Sequence, residues 1–321
     1  VGVAAFKDVF WTTAHQPGSP YEHTSLFPQQ YKACVDATTG RHVQRDVVLD
    51  SLVSAFSAGP VGIGDGDRLT DTALALATCR ADGRLLHPSK PLSPLDFSFW
   101  TAAQPHASAG SNAGSDVPRL LGTYSNISGH FWQYALAVDT PRGTATATLS
   151  DLYWPTAPSS AAVTPPPAAY ALRRHGTRCD TGAPAFAPSG SCAVRVDGAT
   201  AFELYSTPGT RHANGTHGWG LLTLAPLLDG GWAVLGEPTK WVAVSPGRFG
   251  AVRSRGTALE LELSGASSEE VVVELLTPAA RVHTLRAVLP HSGCASCVVD
   301  QPAGGANATS RCTPSVCRVT K

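Results

Sequence analysis

The chain contains no methionine, few aromatic residues (7%) and few charged ones (15%), and each scarcity narrows what it can be. Its 24 lysines and arginines balance 24 aspartates and glutamates, so there is no net field to draw in nucleic acid or an anionic membrane. No local basic patch makes up for this, and nucleic acid is not an expected partner. A run of about 18 apolar residues is missing, so no membrane-spanning helix is expected. Also missing are a Gly-x-Ser-x-Gly elbow and a His-Glu-x-x-His pair, which sets aside serine hydrolase and zinc protease chemistry. Gly62, Gly64 and Gly66 follow a short apolar stretch but lack the spacing of a dinucleotide loop, so no nucleotide cofactor is implied. His212 and His217 flank Asn214 beside glycines and read as exposed loop rather than metal ligands, and no metal is expected. The chain starts at Val1 with neither an initiator nor a charged-then-apolar leader, so it reads as part of a longer precursor. The missing N-terminal part, or another extracellular chain, is then an expected partner.

What is present favours turns and strands. Thirty-one glycines and 25 prolines disrupt helix interiors, while 43% hydrophobic residues in 321 allow a sizeable core and about two domains. Asp46 to Ser57 places Leu49, Val53 and Phe56 on one helical face with Leu52 beside them. Gly59-Pro60 ends this helix, Val61 and Ile63 form a short strand, and Gly64 to Asp67 form a loop. Thr70 then caps a second helix over 71–79. Helix, strand, loop, helix is the rhythm of a parallel α/β barrel, so residues 1–105 read as the end of a (β/α)8 barrel. A small polar stretch after Pro105 reads as a linker. Beyond it, segments 130–138, 144–153, 232–237, 257–265 and 270–276 alternate at period two, which predicts an antiparallel β-sandwich over residues 116–289. Residues 290–321 hold four cysteines and little apolar pattern, and read as a stapled tail.

Eight cysteines and three Asn-x-Ser/Thr sequons, at Asn126, Asn214 and Asn307, together point to a secreted or cell-surface glycoprotein. Cys294-x2-Cys297 followed by Cys312-x4-Cys317 fits a four-thiolate zinc site by spacing and equally fits two disulfides. The Asn307 sequon between the two pairs favours disulfides. Cys179 and Cys192 flank a loop that they would close, leaving Cys34 and Cys79 to pair in the first domain. Eight cysteines allow about 105 pairings, so connectivity stays open.

Three segments, in order, resemble glycoside hydrolase family 36, especially its plant raffinose synthase and alkaline α-galactosidase branch. Lys7-Asp8-Val9-Phe10-Trp11-Thr12 looks like that branch's Ser-Asp-Asp-Phe-Trp-Pro strand end. Ser54 to Asp65 looks like its Ser-Gly-Gly-Pro-Val-Tyr-Val-Ser-Asp, and Asp82 to Leu86 like its Pro-Asp-Gly-Ser-Val-Leu. Gly230 to Val252 is similar to the C-terminal sandwich of uncharacterised secreted proteins that carry barrel-type glycosidase domains. The resemblance implies a carbohydrate partner, with Asp8 as acid/base, Asp65 on the loop near the sugar, and Phe10 and Trp11 against the sugar. A retaining glycosidase needs a second carboxylate about 5 Å away. In the family that nucleophile lies on an earlier strand, so this chain alone is expected to be inactive. Two readings follow: the C-terminal portion of a secreted enzyme acting on or binding α-linked galactosides, or a non-catalytic structural or carbohydrate-binding component of an extracellular assembly. Ala5, where the family places an arginine, favours the second. Ordinary readings of the same residues are turn formers for Asp8 and Asp65 and core for Trp11.

Overall fold

The computed structural model describes residues 9–10, 12, 47–96, 119–138, 145–152, 169–176, 193–198, 200–204, 219–302 and 307–317. In chain order these hold β1 (Val9–Phe10), α1 (Val47–Phe56), β2 (Gly62–Ile63), α2 (Thr72–Leu76), β3 (Ser93–Pro94), β4 (Arg119–Ile127), β5 (His130–Val138) and β6 (Ala145–Ala147). There follow β7 (Ala169–Arg174), β8 (Val194–Asp197), β9 (Phe202–Leu204), β10 (Trp219–Pro226), β11 (Ala233–Gly236) and β12 (Phe249–Arg255). The last are β13 (Ala258–Ser264), β14 (Glu270–Leu276), β15 (Val282–Val288), β16 (Cys294–Asp300) and β17 (Thr309–Pro314).

A six-stranded sheet, ordered β3-β4-β5-β10-β7-β8, is antiparallel throughout. One face packs on two smaller antiparallel sheets, β11-β14-β15 and β12-β13-β16-β17. Period-two patterning does this where one face meets core. Along β13, Leu259, Leu261 and Leu263 point inward, while Glu260 and Glu262 alternate with them on the other face. β5 is different, because it is buried on both faces. Trp132, Tyr134 and Leu136 enter the main core, whereas Ala135 and Ala137 enter a second core with Ala147 of β6, Phe202 and Leu204 of β9, which pairs antiparallel with β6, and Leu149. Its near-continuous apolar run follows from that double burial.

The expected barrel end is overturned. Among the described residues the one parallel pairing is β1 with β2, two residues each, Val9 beside Gly62 and Phe10 beside Ile63. All other strand pairs among these residues are antiparallel, the described elements are two helices and seventeen strands, and none of the described sheets closes into a barrel. The amphipathic face of α1 is real, but it meets a different surface. Leu52, Ala55 and Phe56 are buried in the same core as Trp132, Tyr134, Trp232 and Val244, and the Phe56 and Tyr134 rings meet edge to face at 5.2 Å. A helix-strand-helix rhythm records local periodicity only, and here the apolar stripe is covered by the sandwich. The second helix is also shorter than expected. Asp71, not Thr70, caps it, with Oδ1 accepting from the N–H groups of Ala73 (2.9 Å) and Leu74 (3.2 Å).

Removing the Phe56 ring takes away a fully buried side chain that joins α1 to the sandwich. Phe56→Ala should lower unfolding stability by about 3–5 kcal/mol in a single urea transition followed by tryptophan fluorescence. A helix that folds apart from the sandwich would leave that transition unmoved.

Candidate functional site

The loop after β2 carries the expected sugar-facing Asp65, and the structure gives this residue a structural partner. Thr12 donates to it twice, from its N–H to Oδ1 at 2.8 Å and from its hydroxyl to Oδ2 at 2.5 Å. The same Thr12 hydroxyl accepts from the N–H of Asp71 at 2.6 Å, so Thr12, just after β1, ties the Asp65 loop to the cap of α2. Asp8 and Trp11 lie outside the described residues, as does the side chain of Phe10. The structure therefore brings together Asp65 and Thr12, and Thr12 is a contact that sequence reasoning missed.

A denser charge cluster lies elsewhere, on the stretch between β11 and β12. Gly236 has φ +91°, and any side chain there would run into Ala243, so glycine permits the bulge that folds residues 237–243 back with Glu237 N–H donating to Ala243 O at 2.8 Å. This places Glu237 beside Arg248, 1% exposed. Arg248 donates from Nε to Glu237 at 2.9 Å, from Nη1 to Ser264 O at 2.8 Å and from Nη2 to Glu269 at 2.5 Å. Gly265 has no side chain because the guanidinium fills that space.

The cluster reaches the N-terminal segment through several elements. Glu269 accepts from the N–H of Ala81 at 3.1 Å, and Arg80 donates to Gly247 O at 3.0 Å while pairing with Asp82. Lys240 donates to the carbonyls of Leu76 (2.6 Å) and Cys79 (2.8 Å) at the end of α2, where a cation meets the free carbonyls of a helix terminus. Next to it, Trp241 donates from Nε1 to Ser51 of α1 at 2.9 Å.

Burial and pairing compete at these groups. Burial pushes the Glu237 carboxyl above its ordinary range, opposed by Arg248. At Glu269 burial pushes upward too, but the Arg248 hydrogen bond and two backbone donors hold the group below the ordinary range. Lys240 is lowered by burial against the pull of Glu237. Every charge here meets an opposite one or a backbone acceptor, which is the arrangement of a buried structural tie.

Hollows near these residues are small. A groove of about 140 Å³ is lined by Arg80, Arg84, Gly247, Glu262, Ser264 and Cys317. That is below the roughly 300–1,000 Å³ of an enclosed small-molecule site. A second hollow of about 20 Å³, bordered by Arg173, Arg174, His175, Glu237 and Lys240, has room for a water molecule. His175 stacks at 4.7 Å on Trp241, and burial, reinforced by Arg173, lowers its pKa to about 4.

The cysteines resolve one alternative. Cys294 pairs with Cys317 and Cys297 with Cys312, so the zinc reading of these four is overturned: the thiols are bonded to one another. Among the described residues Cys79 is a free thiol, and Cys34, with which it was expected to pair, is not one of them. Cys34, Cys179 and Cys192 lie outside the described residues, as does Asn214. Asn126 and Asn307 are both exposed. Asn126 precedes the two-residue turn Ser128-Gly129, where φ is +54° and +83°, and its side-chain oxygen accepts from the Gly129 N–H at 3.2 Å. Among the described residues no three His, Cys, Asp or Glu gather as a metal site, and no helix is long and apolar enough to cross a membrane. Comparison with protein-family models and with curated proteins finds no match.

Two predictions test these assignments. Arg248→Met keeps much of the side-chain volume but strips the cation from Glu237 and Glu269, and should cost about 3–5 kcal/mol at pH 7. In that variant both carboxyls stay buried after losing the cation that hydrogen-bonds them, with the Coulombic pull of Lys240 remaining, so the folded state binds protons more tightly than the unfolded chain. Stability in urea melts should then rise as pH falls from 6 to 4. For His175 the sign is opposite: its folded pKa of about 4 lies below the unfolded value near 6.5, so its contribution is present above that value and lost as pH falls through 4. His175→Phe should remove up to about 3 kcal/mol of acid destabilisation across that window, seen as a flatter profile of stability against pH.

Proposed function

We propose that this chain is a non-catalytic β-sandwich component of a secreted glycoprotein, built for mechanical and chemical persistence outside the cell. The observation that carries the reading is the pairing of two adjacent disulfides, Cys294–Cys317 and Cys297–Cys312, with exposed sequons at Asn126 and Asn307. Disulfides persist in oxidising compartments, and a sequon is modified only along the same route. The carboxylate expected nearest the sugar supports a structural role, because both Asp65 oxygens accept hydrogen bonds from Thr12. The buried charges around Arg248 also serve cohesion, since each is matched within the fold. Carbohydrate enters this reading as the covalent glycans of the chain itself.

The test is to secrete the chain from an animal cell line and measure intact mass before and after treatment with peptide N-glycosidase, alongside activity on aryl α-galactosides. The expected result is a mass loss on deglycosylation and equal background rates for the parent chain and Asp8→Asn. Hydrolysis by the parent that Asp8→Asn abolishes would overturn the non-catalytic reading, and an unchanged mass would overturn the glycoprotein reading.

A further inference from the structure

Among the described residues β17 is an edge strand, and most of it is exposed. It ends the sheet β12-β13-β16-β17, and Thr309, Ser310, Arg311, Thr313 and Pro314 are all exposed. Its register tells which backbone groups face the open side. Cys297 and Cys312 lie directly opposite with Cα atoms 4.1 Å apart, the narrow spacing of a non-hydrogen-bonded pair. The flanking pairs Ser296 with Thr313 and Val298 with Arg311 are then the hydrogen-bonded ones. By alternation, the N–H and C=O groups of Ser310 and Cys312 point away from β16, toward the open edge. Pro314 has the same parity and no N–H, so it ends the open ladder at the C-terminal side.

Such an edge is a template for another strand, and proteins commonly blunt it by twisting it away or keeping it short. Here two disulfides tie β17 and the residues just after it to β16, which holds its six residues in line with the sheet rather than twisted away. At the N-terminal side stands Asn307, exposed and three residues before Ser310, about 10 Å along an extended chain. We infer that an N-linked glycan on Asn307 is the guard of this edge: it sterically occupies the approach to Ser310 and Cys312 and prevents antiparallel pairing of β17 with β17 of a second copy. The bulk and solubility of a glycan suit that task, and Pro314 completes the guard at the other end. The inference rests on the glycoprotein reading above.

The experiment compares the secreted parent chain, the parent deglycosylated under native conditions, Thr309→Ala, and Asn307→Gln with and without Ser310→Pro, by light scattering after size exclusion over a range of concentrations. Ser310→Pro removes an outward-facing N–H that makes no bond within the sheet. The parent should be monomeric with Asn307 occupied. Native deglycosylation, Thr309→Ala and Asn307→Gln should each double the mass as concentration rises, and the added Ser310→Pro should return Asn307→Gln to a monomer. Deglycosylated protein that stays monomeric at every concentration overturns the inference, as does a dimer that Ser310→Pro leaves intact. Peptide mapping separates the two levels: Asn307 unmodified beside a modified Asn126 overturns the guard alone, whereas no glycan on any sequon overturns the glycoprotein reading with it.

Discussion

The interaction on which the rest of the structure depends is the buried guanidinium of Arg248. It joins three points that lie 11, 16 and 21 residues from it along the chain: Glu237 after β11, Ser264 at the end of β13, and Glu269 before β14. Through Glu269 and the Ala81 N–H it also holds the segment after α2. A buried ion pair stabilises little compared with well-packed apolar residues of the same volume, but leaving one member alone is costly. The cluster therefore acts chiefly as a constraint on arrangement. With Arg248 in place, Gly236 must bulge, Gly265 must stay without a side chain, and Lys240 and Trp241 are presented to the two helices.

That constraint explains why the N-terminal segment does not behave as a separate layer. α1 contributes Leu52 and Phe56 to the same core as the sandwich strands, and hydrogen bonds from Tyr134 to Val244 O and from Trp132 to Val234 O, at 3.0 and 2.8 Å, run across the interior. At Trp132 and Tyr134 the polar atom of the ring finds a backbone partner inside, which lets these two large side chains be buried without leaving that group unmet. The six-stranded sheet then carries core on both faces, the main one against the two smaller sheets and a smaller one beside β6 and β9.

Sequence patterning was legible where one face of a strand meets water. The alternation of β13 follows from it directly, and α1 lies within a residue of its expected bounds; β5 also has its expected start and end, although both of its faces are buried. It failed where burial is two-sided or where partners are remote. β4 has no clean alternation, and residues 144–153 read as one strand but form β6 followed by a 3₁₀ turn that drops Leu149 and Leu152 into the second core. The barrel expectation failed for a related reason: an amphipathic helix declares that it has an apolar face, not what covers it. At the candidate site, Asp65 was visible as a loop carboxylate, but its engagement by Thr12 spans 53 residues and leaves no local signal. The Arg248 cluster was equally hidden, although Gly230 to Val252 stood out as one stretch. The disulfides Cys294–Cys317 and Cys297–Cys312 were readable as a pairing class, and their connectivity required the strand register.

The central claim is that the Arg248 cluster makes the helical segment and the sandwich one cooperative unit. Native-state hydrogen exchange in low denaturant tests this most directly, by comparing the amides of Ala55 and Phe56 in α1 with that of Leu261 in β13. These amides should converge on one opening free energy with one denaturant slope. Helix amides that exchange through a separate, lower-energy opening while Leu261 stays protected would contradict it.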